Sequence, residues 1–499
     1  MRTRLSSRWV LGFARGDHVL VEDGEVLVEG NRILRVGPRS EVPCDADHDF
    51  GTALIAPGFV DLDALADVDT TILSYDAPGA DRRARLPSRD FVERRARDVL
   101  TPGEQVAGAR AAFAQLLLGG VTTALPVTSL LHRAWAESAD ELDGIAGLAG
   151  ELGIRLVLGP SFRSAVNVCE ADGRVGQVER AGRGAAGLRD AVDFIARWVG
   201  DPLVSGLLVP STVDTCSDAL LRETAAAADE LDVPFRLHCC QSPIEAELIW
   251  ERSGQTSIGL LETLGVLSRR ALLPHAIVLG GPSGDPDLAR ADVDALQRSG
   301  AVVVHCPLVV GRGGRRLSSF GGFRGRGIRI GLGTDTAPGD MLMNLQLGVA
   351  TARMEPVPAG PADYFRAATL GGADAIGRPD LGRLAAGAAA DLVVWDLADL
   401  LVQPVHDPVQ ALFLMPPGRR AREVWVAGRR VVGNFRLIAG DERKIAAAVP
   451  PIFDKLREAY AERSPDGADW RSLFPPSFPI AAADRSFAAL AHPVSGGQA

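Results

Sequence analysis

Short β-branched and aliphatic runs alternate along most of the chain with longer segments whose apolar positions recur at helical spacing. Eight such runs read as strands: Ile55–Asp61, Val121–Val127, Arg155–Leu158, Leu203–Val209, Pro234–Cys239, Ala276–Leu279, Ala301–Cys306 and Ile328–Gly333. Between them, Thr101–Leu118, Glu137–Leu152, Gly187–Val199, Ser217–Leu231, Pro243–Thr263 and Asp287–Ser299 have the length and periodicity of helices. This alternation predicts an α/β protein built on a (β/α)8 TIM barrel spanning residues 56–384, with its chemistry at the C-terminal ends of the strands.

The two ends of the chain follow another pattern. His18–Glu22, Glu25–Val28 and Arg32–Val36 are separated by turn pairs at Asp23-Gly24 and Gly30-Asn31. The same grammar returns in Ala390–Trp395, Glu423–Val426 and Arg430–Val432, with turns at Ala427-Gly428 and Gly433-Asn434. Residues 1–55 and 385–440 therefore predict one small discontinuous β-sandwich, which the barrel interrupts. Residues 441–499 read as a helical extension carrying Lys444 and Lys455 and a proline-rich tail (Phe474–Pro479), an add-on suited to an oligomer arm.

Composition narrows the function. The 499 residues are 46% hydrophobic and 23% charged, which excludes a disordered or fibrous chain. A net charge of -10, with Arg-rich stretches such as Gly311–Arg316 reading as solvated loops, argues against a nucleic-acid partner. No apolar run approaches the roughly 18 residues of a membrane helix, and Met1–Gly16 has too short an apolar centre for a secretion signal, so a cytoplasmic protein is expected. Lys444 and Lys455 are the only lysines, which leaves the barrel without a Schiff-base amine or a carbamate bridge between metals. The cysteines Cys44, Cys169, Cys216, Cys239, Cys240 and Cys306 form no C-x-x-C pair and indicate neither a disulfide framework nor a structural zinc module.

Four strand ends carry polar groups. Asp335 suits a metal ligand or general base at the barrel mouth, or a helix N-cap with Thr336. His238 reads as a ligand or acid/base group, or as a hydrogen-bonded core histidine. Asp61 and Asp63, two apart on one strand face, suit paired carboxylates for a hard cation, or strand-end turn chemistry. Cys240 shares a face with His238 by period two, as a thiolate or as a small buried filler, whereas Cys239 faces the helices. His305 is a substrate-binding candidate at the seventh strand, or satisfies loop carbonyls. His18, His48, His132, His275, His406 and His492 show no interpretable spacing.

With Ala56-Pro57-Gly58-Phe59-Val60-Asp61, Gly119-Gly120-Val121-Thr122-Thr123, His305-Cys306-Pro307 and Gly331-Leu332-Gly333-Thr334-Asp335, the chain resembles the amidohydrolase superfamily, in its cytosine/guanine deaminase and triazine chlorohydrolase branch. The resemblance runs from about Val19 to Arg436, since Gly382–Val394 and Glu423–Arg429 match the family's return into its β-sandwich. It implies one divalent metal, held by an H-x-H pair after strand 1, one histidine each after strands 5 and 6 and an aspartate after strand 8, with activated water attacking a ring carbon of a small nitrogen-containing substrate.

Against that pattern, the H-x-H pair falls on Asp63 and Leu65, and the strand 6 histidine falls on Gly280 or Gly281. His238 and Asp335 match their ligand positions. The family's acid/base glutamate is Gln241, its substrate histidine after strand 4 is Ser211, and the asparagine after H-C-P is Val310. Three readings follow. Asp335, His238 and Asp63 form a metal-independent acid/base cluster, with Gln241, Ser211, His305 and Thr336 as substrate contacts. Alternatively Asp61, Asp63, His238 and Asp335 hold one divalent metal, zinc, iron, manganese or magnesium, the oxygen-rich set favouring the last two. In the third reading the barrel is inactive and binds a partner; a mouth plugged by Pro282–Pro286 or Gly311–Gly325 would mark it. The resemblance also implies a homodimer or a larger assembly.

Overall fold

The computed structural model describes residues 1–70, 86–317, 319–414 and 419–478. Its first layer is a nine-stranded sheet drawn from both ends of the chain. β1 (Arg2–Ala14), β2 (Asp17–Glu29), β3 (Arg32–Pro38), β4 (Ala46–Asp49) and β5 (Ala53–Pro57) come from the N-terminal region. The eight barrel strands follow: β6 (Phe59–Leu65), β7 (Val121–Val127), β8 (Arg155–Leu158), β9 (Val204–Gly206), β10 (Phe235–Arg236), β11 (Ala271–Pro274), β12 (Val302–His305) and β13 (Arg329–Leu332). β14 (Leu392–Asp396), β15 (Glu423–Val426), β16 (Arg429–Gly433) and β17 (Arg436–Leu437) complete the sheet in the order β17-β16-β15-β14-β5-β1-β2-β3, with β4 on β1. Antiparallel pairing of β14 with β5, Leu392 opposite Pro57, joins the two chain ends.

Two of the sequence-predicted boundaries move. β2 runs through Asp23-Gly24, with β1 paired along both of its halves and β3 along the second, so that dipeptide bends a strand and does not close a hairpin. Ile55–Asp61 splits at Gly58, whose N–H bonds the Asp391 carbonyl where the chain leaves the sheet for the barrel. A Cβ at residue 58 would stand 2.1 Å from the Thr122 hydroxyl, so only glycine fits this crossing.

The barrel strands run parallel in two hydrogen-bonded sets, β9-β8-β7-β6 and β10-β11-β12-β13. The sets meet where Arg236 N–H donates to the Leu208 carbonyl at 2.9 Å, and they close where Asp335 N–H donates to the Asp63 carbonyl at 2.7 Å. Barrel residues Val60, Leu125, Val157, Val209, Leu272, Val302, Val304 and Cys306 form one buried apolar cluster. Each apolar side chain of this kind contributes about 1.5–3 kcal/mol on burial. The outer cluster, which includes Phe59, Phe113, Leu148, Phe194 and Trp395, fills the space under the helices.

The sixth strand corrects the sequence reading. It is Ala271–Pro274, and Ala276–Leu279 is not a strand, because His275 (φ 81°) and Ala276 (φ 48°) turn the chain immediately after Pro274. The C-terminal helix Glu442–Glu458 does not extend from the body as an arm. It lies on Pro102–Leu118, burying Ile452 and Leu456 against Leu100, and Lys455 pairs with Glu104. Pro479, the end of the expected proline-rich tail, and residues 480–499 fall outside the described residues. No helix among the described residues is long and apolar enough to cross a membrane.

Candidate active site

The strand ends converge on one small volume. His238, after β10, donates its Nδ1–H to the Ser211 carbonyl at 3.0 Å, which leaves Nε2 facing Asp63 Oδ2 at 3.7 Å. His275, after β11, lies with its ring centroid 5.4 Å from that of His238 and its Nε2 3.7 Å from Asp335 Oδ2. Asp63, His238 and His275 each offer a ligand atom within 4.8 Å of the others, and so do His275, Cys306 and Asp335. The residue that follows the sixth strand is therefore His275, and the end of that strand does not fall on Gly280 or Gly281. Gly280 lies beyond the turn, where its N–H bonds Asp292.

Backbone conformation supports this convergence at a cost. Cys240 (φ 56°), His275 (φ 81°) and Asp335 (φ 45°) all occupy the left-handed region, which costs a non-glycine residue about 1–3 kcal/mol and clusters at functional sites. Gly333 relieves crowding in the same layer: a Cβ there would lie 2.6 Å from Asp63 Cβ and 3.0 Å from Cys306 Sγ.

Arg236 and Asp63 form a fully buried pair inside the barrel, with Nη1 3.3 Å from Oδ1. The guanidinium also donates to the Leu125 and Pro126 carbonyls. The pairing follows from the sequence: Arg236 is two residues before His238 and so points into the lumen with it. Asp61 lies outside the ligand cluster. Its carboxylate accepts the Thr334 N–H (3.0 Å), the Thr334 hydroxyl (2.7 Å) and the Asp63 N–H (3.1 Å), so it clamps the first strand to the eighth.

Burial, reinforced by the charges of Asp63 and Asp69, pushes the Asp335 carboxyl well above its usual range. Burial holds His238 and His275 below the ordinary histidine value, so both present neutral rings, the form in which histidine binds a metal. Burial and the Asp63 charge raise the Cys306 thiol. Burial lifts Asp61 to about 6.

The donors present fit a divalent cation. Both ring nitrogens of buried His275 lack a hydrogen-bond partner, a costly arrangement that coordination would resolve. Two imidazoles and two carboxylates are the N and O donors that zinc, iron and manganese take.

A cavity of about 370 Å³ opens over this cluster, within the range of small-molecule sites. Asp335, His238, Gln241 and Ser211 line it, together with Asp67, Arg133, Arg163, Asn167 and Arg463. Gln241 reaches it while its own N–H bonds Glu245, a buried carboxyl raised by desolvation to about 8 that also holds the Cys240 N–H and the Ser257 hydroxyl. Among the described residues neither Pro282–Pro286 nor Gly311–Gly325 lines the cavity. Arg463 reaches it from the C-terminal extension.

Three candidates point elsewhere. His305 alternates with Val304 and Cys306, so its ring faces the helices, against Phe320 and Tyr364, and burial lowers it to about 3. Thr336 is engaged by Asp69 at 2.7 Å and by Arg312. Cys240 leaves the His238 face because its left-handed backbone ends the strand, and its thiol lies 3.7 Å from that of Cys239. Sequence reading passed over His275, Arg236, Asp67 and Asp69; the signal for His275 was the run Ala271-Leu272-Leu273 just before Pro274-His275.

With this geometry in place, comparison with known proteins is direct. The model of the Amidohydrolase family matches residues 75–431. The 5-methylthioadenosine/S-adenosylhomocysteine deaminase of Nitratidesulfovibrio vulgaris (strain Miyazaki F) is 30% identical over 461 residues, 88% of this chain and 94% of that one. The protein of the same name from Desulforudis audaxviator is 28% identical over 463 residues, 89% and 96% of the two chains. The chain belongs to the amidohydrolase family.

Solved structures share the fold. An adenosine deaminase from Xanthomonas campestris with bound zinc gives a TM-score of 0.72 at 23% identity, covering 91% of this chain and 98% of that one. Atrazine chlorohydrolase from Arthrobacter aurescens TC1 complexed with zinc gives 0.72 at 23% identity, with 90% and 100% covered.

Proposed function

We propose that the chain is a metal-dependent hydrolase of a non-peptide C–N bond in a small nitrogen-containing molecule, acting as a deaminase. The observation that carries this reading is the convergence of Asp63, His238, His275 and Asp335 beneath an open cavity, with both ring nitrogens of His275 unpartnered. The deaminase names of the relatives that align over nearly the whole chain support the substrate class. The metal-independent and partner-binding readings drew on missing donors, one of which His275 supplies.

A cation bound here would lower the pKa of a water and polarise the bond to be cleaved. Asp335, at the cavity floor, is the general base: the positive charge of a cation bound beside it would oppose the effect of burial and hold the carboxyl ionised, so that it takes the proton of the attacking water and returns it to the departing amine. His238, fixed by the Ser211 carbonyl, and Asp63, fixed by Arg236, hold the centre in register. Gln241 has no titratable proton, so its amide contributes only hydrogen bonds to the substrate. Asp67, buried to the point that its carboxyl rises to about 7 and lining the same cavity, is a second proton carrier.

The experiment is ammonia release from a panel containing 5-methylthioadenosine, S-adenosylhomocysteine, adenosine, cytosine, guanine and amino-triazines, with metal content measured on protein purified without chelator. Turnover that tracks about one metal per chain and disappears in Asp335→Asn supports the proposal. An active Asp335→Asn protein refutes the base assignment, and a metal-free chain that still turns over restores the acid/base cluster.

A further inference from the structure

The strand-end count leaves one donor of the family's five without a successor, because Leu65 cannot coordinate. We propose that Cys306 takes that place as a thiolate, so that this centre binds a transition-metal ion through Asp63, His238, His275, Cys306 and Asp335. The inference rests on the reading of this cluster as a metal site and adds a ligand of a different chemical type.

Placement comes first. Cys306 follows β12 and shares the lumen face with Val302 and Val304, fully buried. Its Sγ lies 3.7 Å from Asp63 Oδ2, the oxygen that also faces His238 Nε2 at 3.7 Å. The sulfur also belongs to the group with His275 and Asp335 whose ligand atoms lie within 4.8 Å of one another. His275 and Asp63 thus link the two triads into one five-donor cluster. The absent side chain at Gly333 leaves the volume that the sulfur occupies, since a Cβ there would lie 3.0 Å from Sγ.

Charge supports the same assignment. Carboxylates of Asp63 and Asp335 plus a Cys306 thiolate carry three negative charges. A divalent cation plus the Arg236 guanidinium, 3.3 Å from Asp63, carries three positive ones, so the three anionic donors would be balanced in a buried site. Binding forms the metal–sulfur bond as the S–H bond breaks, and the proton leaves to solvent. A thiolate with two imidazoles selects zinc, iron or cobalt over magnesium and manganese.

The test strips the full-length protein with a chelator and reloads it with cobalt(II), reading cobalt per chain by plasma mass spectrometry and the absorption spectrum. The wild type is expected to take up one cobalt per chain and to show a near-ultraviolet sulfur-to-cobalt charge-transfer band. Cys306→Ser is expected to lose the band and to bind cobalt about 10²-fold more weakly, a loss of the size expected for one of several ligands. A Cys239→Ser/Cys240→Ser protein is expected to keep the band, because those thiols lie outside the lumen beside Glu245. One cobalt per chain without the band in the wild type, or a band that survives Cys306→Ser, overturns the assignment and leaves the hydrolase reading standing. A wild type that takes up no cobalt overturns both. Should Cys306→Ser fail to fold, the wild-type spectrum together with the Cys239/Cys240 control decides.

Discussion

Replacing Arg236 by methionine tests the interior of the barrel. Arg236 and Asp63 are both fully buried, 3.3 Å apart, and the guanidinium also serves the Leu125 and Pro126 carbonyls. Methionine fills a similar volume but leaves the Asp63 carboxylate without its counter-charge. Breaking a buried pair from one side costs about 3–5 kcal/mol. With an unfolding entropy of roughly 2.1 cal/mol/K per residue, a chain of 499 residues changes by about 1 kcal/mol per kelvin if it unfolds as one unit, so the melting temperature should fall by about 3–5 °C. Arg236→Met/Asp63→Asn removes both charges and should recover about 2 kcal/mol of the loss, since no unpaired ion remains. Calorimetry is run on chelator-treated protein, because bound metal stabilises the folded state by mass action. A divalent cation added to Arg236→Met should narrow the deficit by supplying positive charge beside Asp63. An Arg236→Met protein within 1 °C of the wild type, or a double variant no more stable than the single one, would refute the reasoning.

Other outcomes follow from the same geometry. His275→Ala should lower metal affinity by about 10²–10³-fold, one ligand's share of the roughly 10–16 kcal/mol of a four-ligand zinc site, and plasma mass spectrometry should find the purified variant largely empty. Gln241→Glu returns a proton carrier to the cavity and should raise kcat about 10²-fold on whichever substrate is found, the lower edge of general acid–base contributions; an unchanged kcat would leave the proton work with Asp335 and Asp67. His132, buried against Tyr460 (ring centroids 5.0 Å apart), is lowered to about 3 by desolvation and by the nearby charges of Arg463 and Arg97. The unfolded chain therefore binds the extra proton first, so the stability this histidine contributes is full above about pH 6.5 and declines as pH falls toward 3, by about 2 kcal/mol at pH 5. His132→Phe should flatten the melting temperature between pH 7 and 5 relative to the wild type; parallel curves would show that the ring is solvated.

The eight-strand alternation, the discontinuous β-layer and the Gly58, Gly333 and His305-Cys306-Pro307 landmarks were legible because they rest on local rules: strand periodicity, turn chemistry and short motifs. His238 and Asp335 were legible because each stands directly after an apolar strand. His275 was not, because Pro274 masked the end of a four-residue strand and the more apolar Ala276–Leu279 competed for the same role. Left-handed backbone at His275 and Ala276, which no propensity announces, ends the strand there. His305 was misjudged for a related reason. Position after a strand says that a side chain is near the mouth, and only the alternation of Val302, Val304 and Cys306 into the lumen says which way it faces.

What the sequence determined by itself is the barrel with its β-layer and the family resemblance. What tertiary structure decided is which side chains meet at the strand ends. Arg236, Asp63 and Cys306 are separated by long stretches of chain, and their sides of the barrel meet only when the strands close into a ring. Charge compensation and metal geometry depend on distances through space, which periodicity along the chain does not carry.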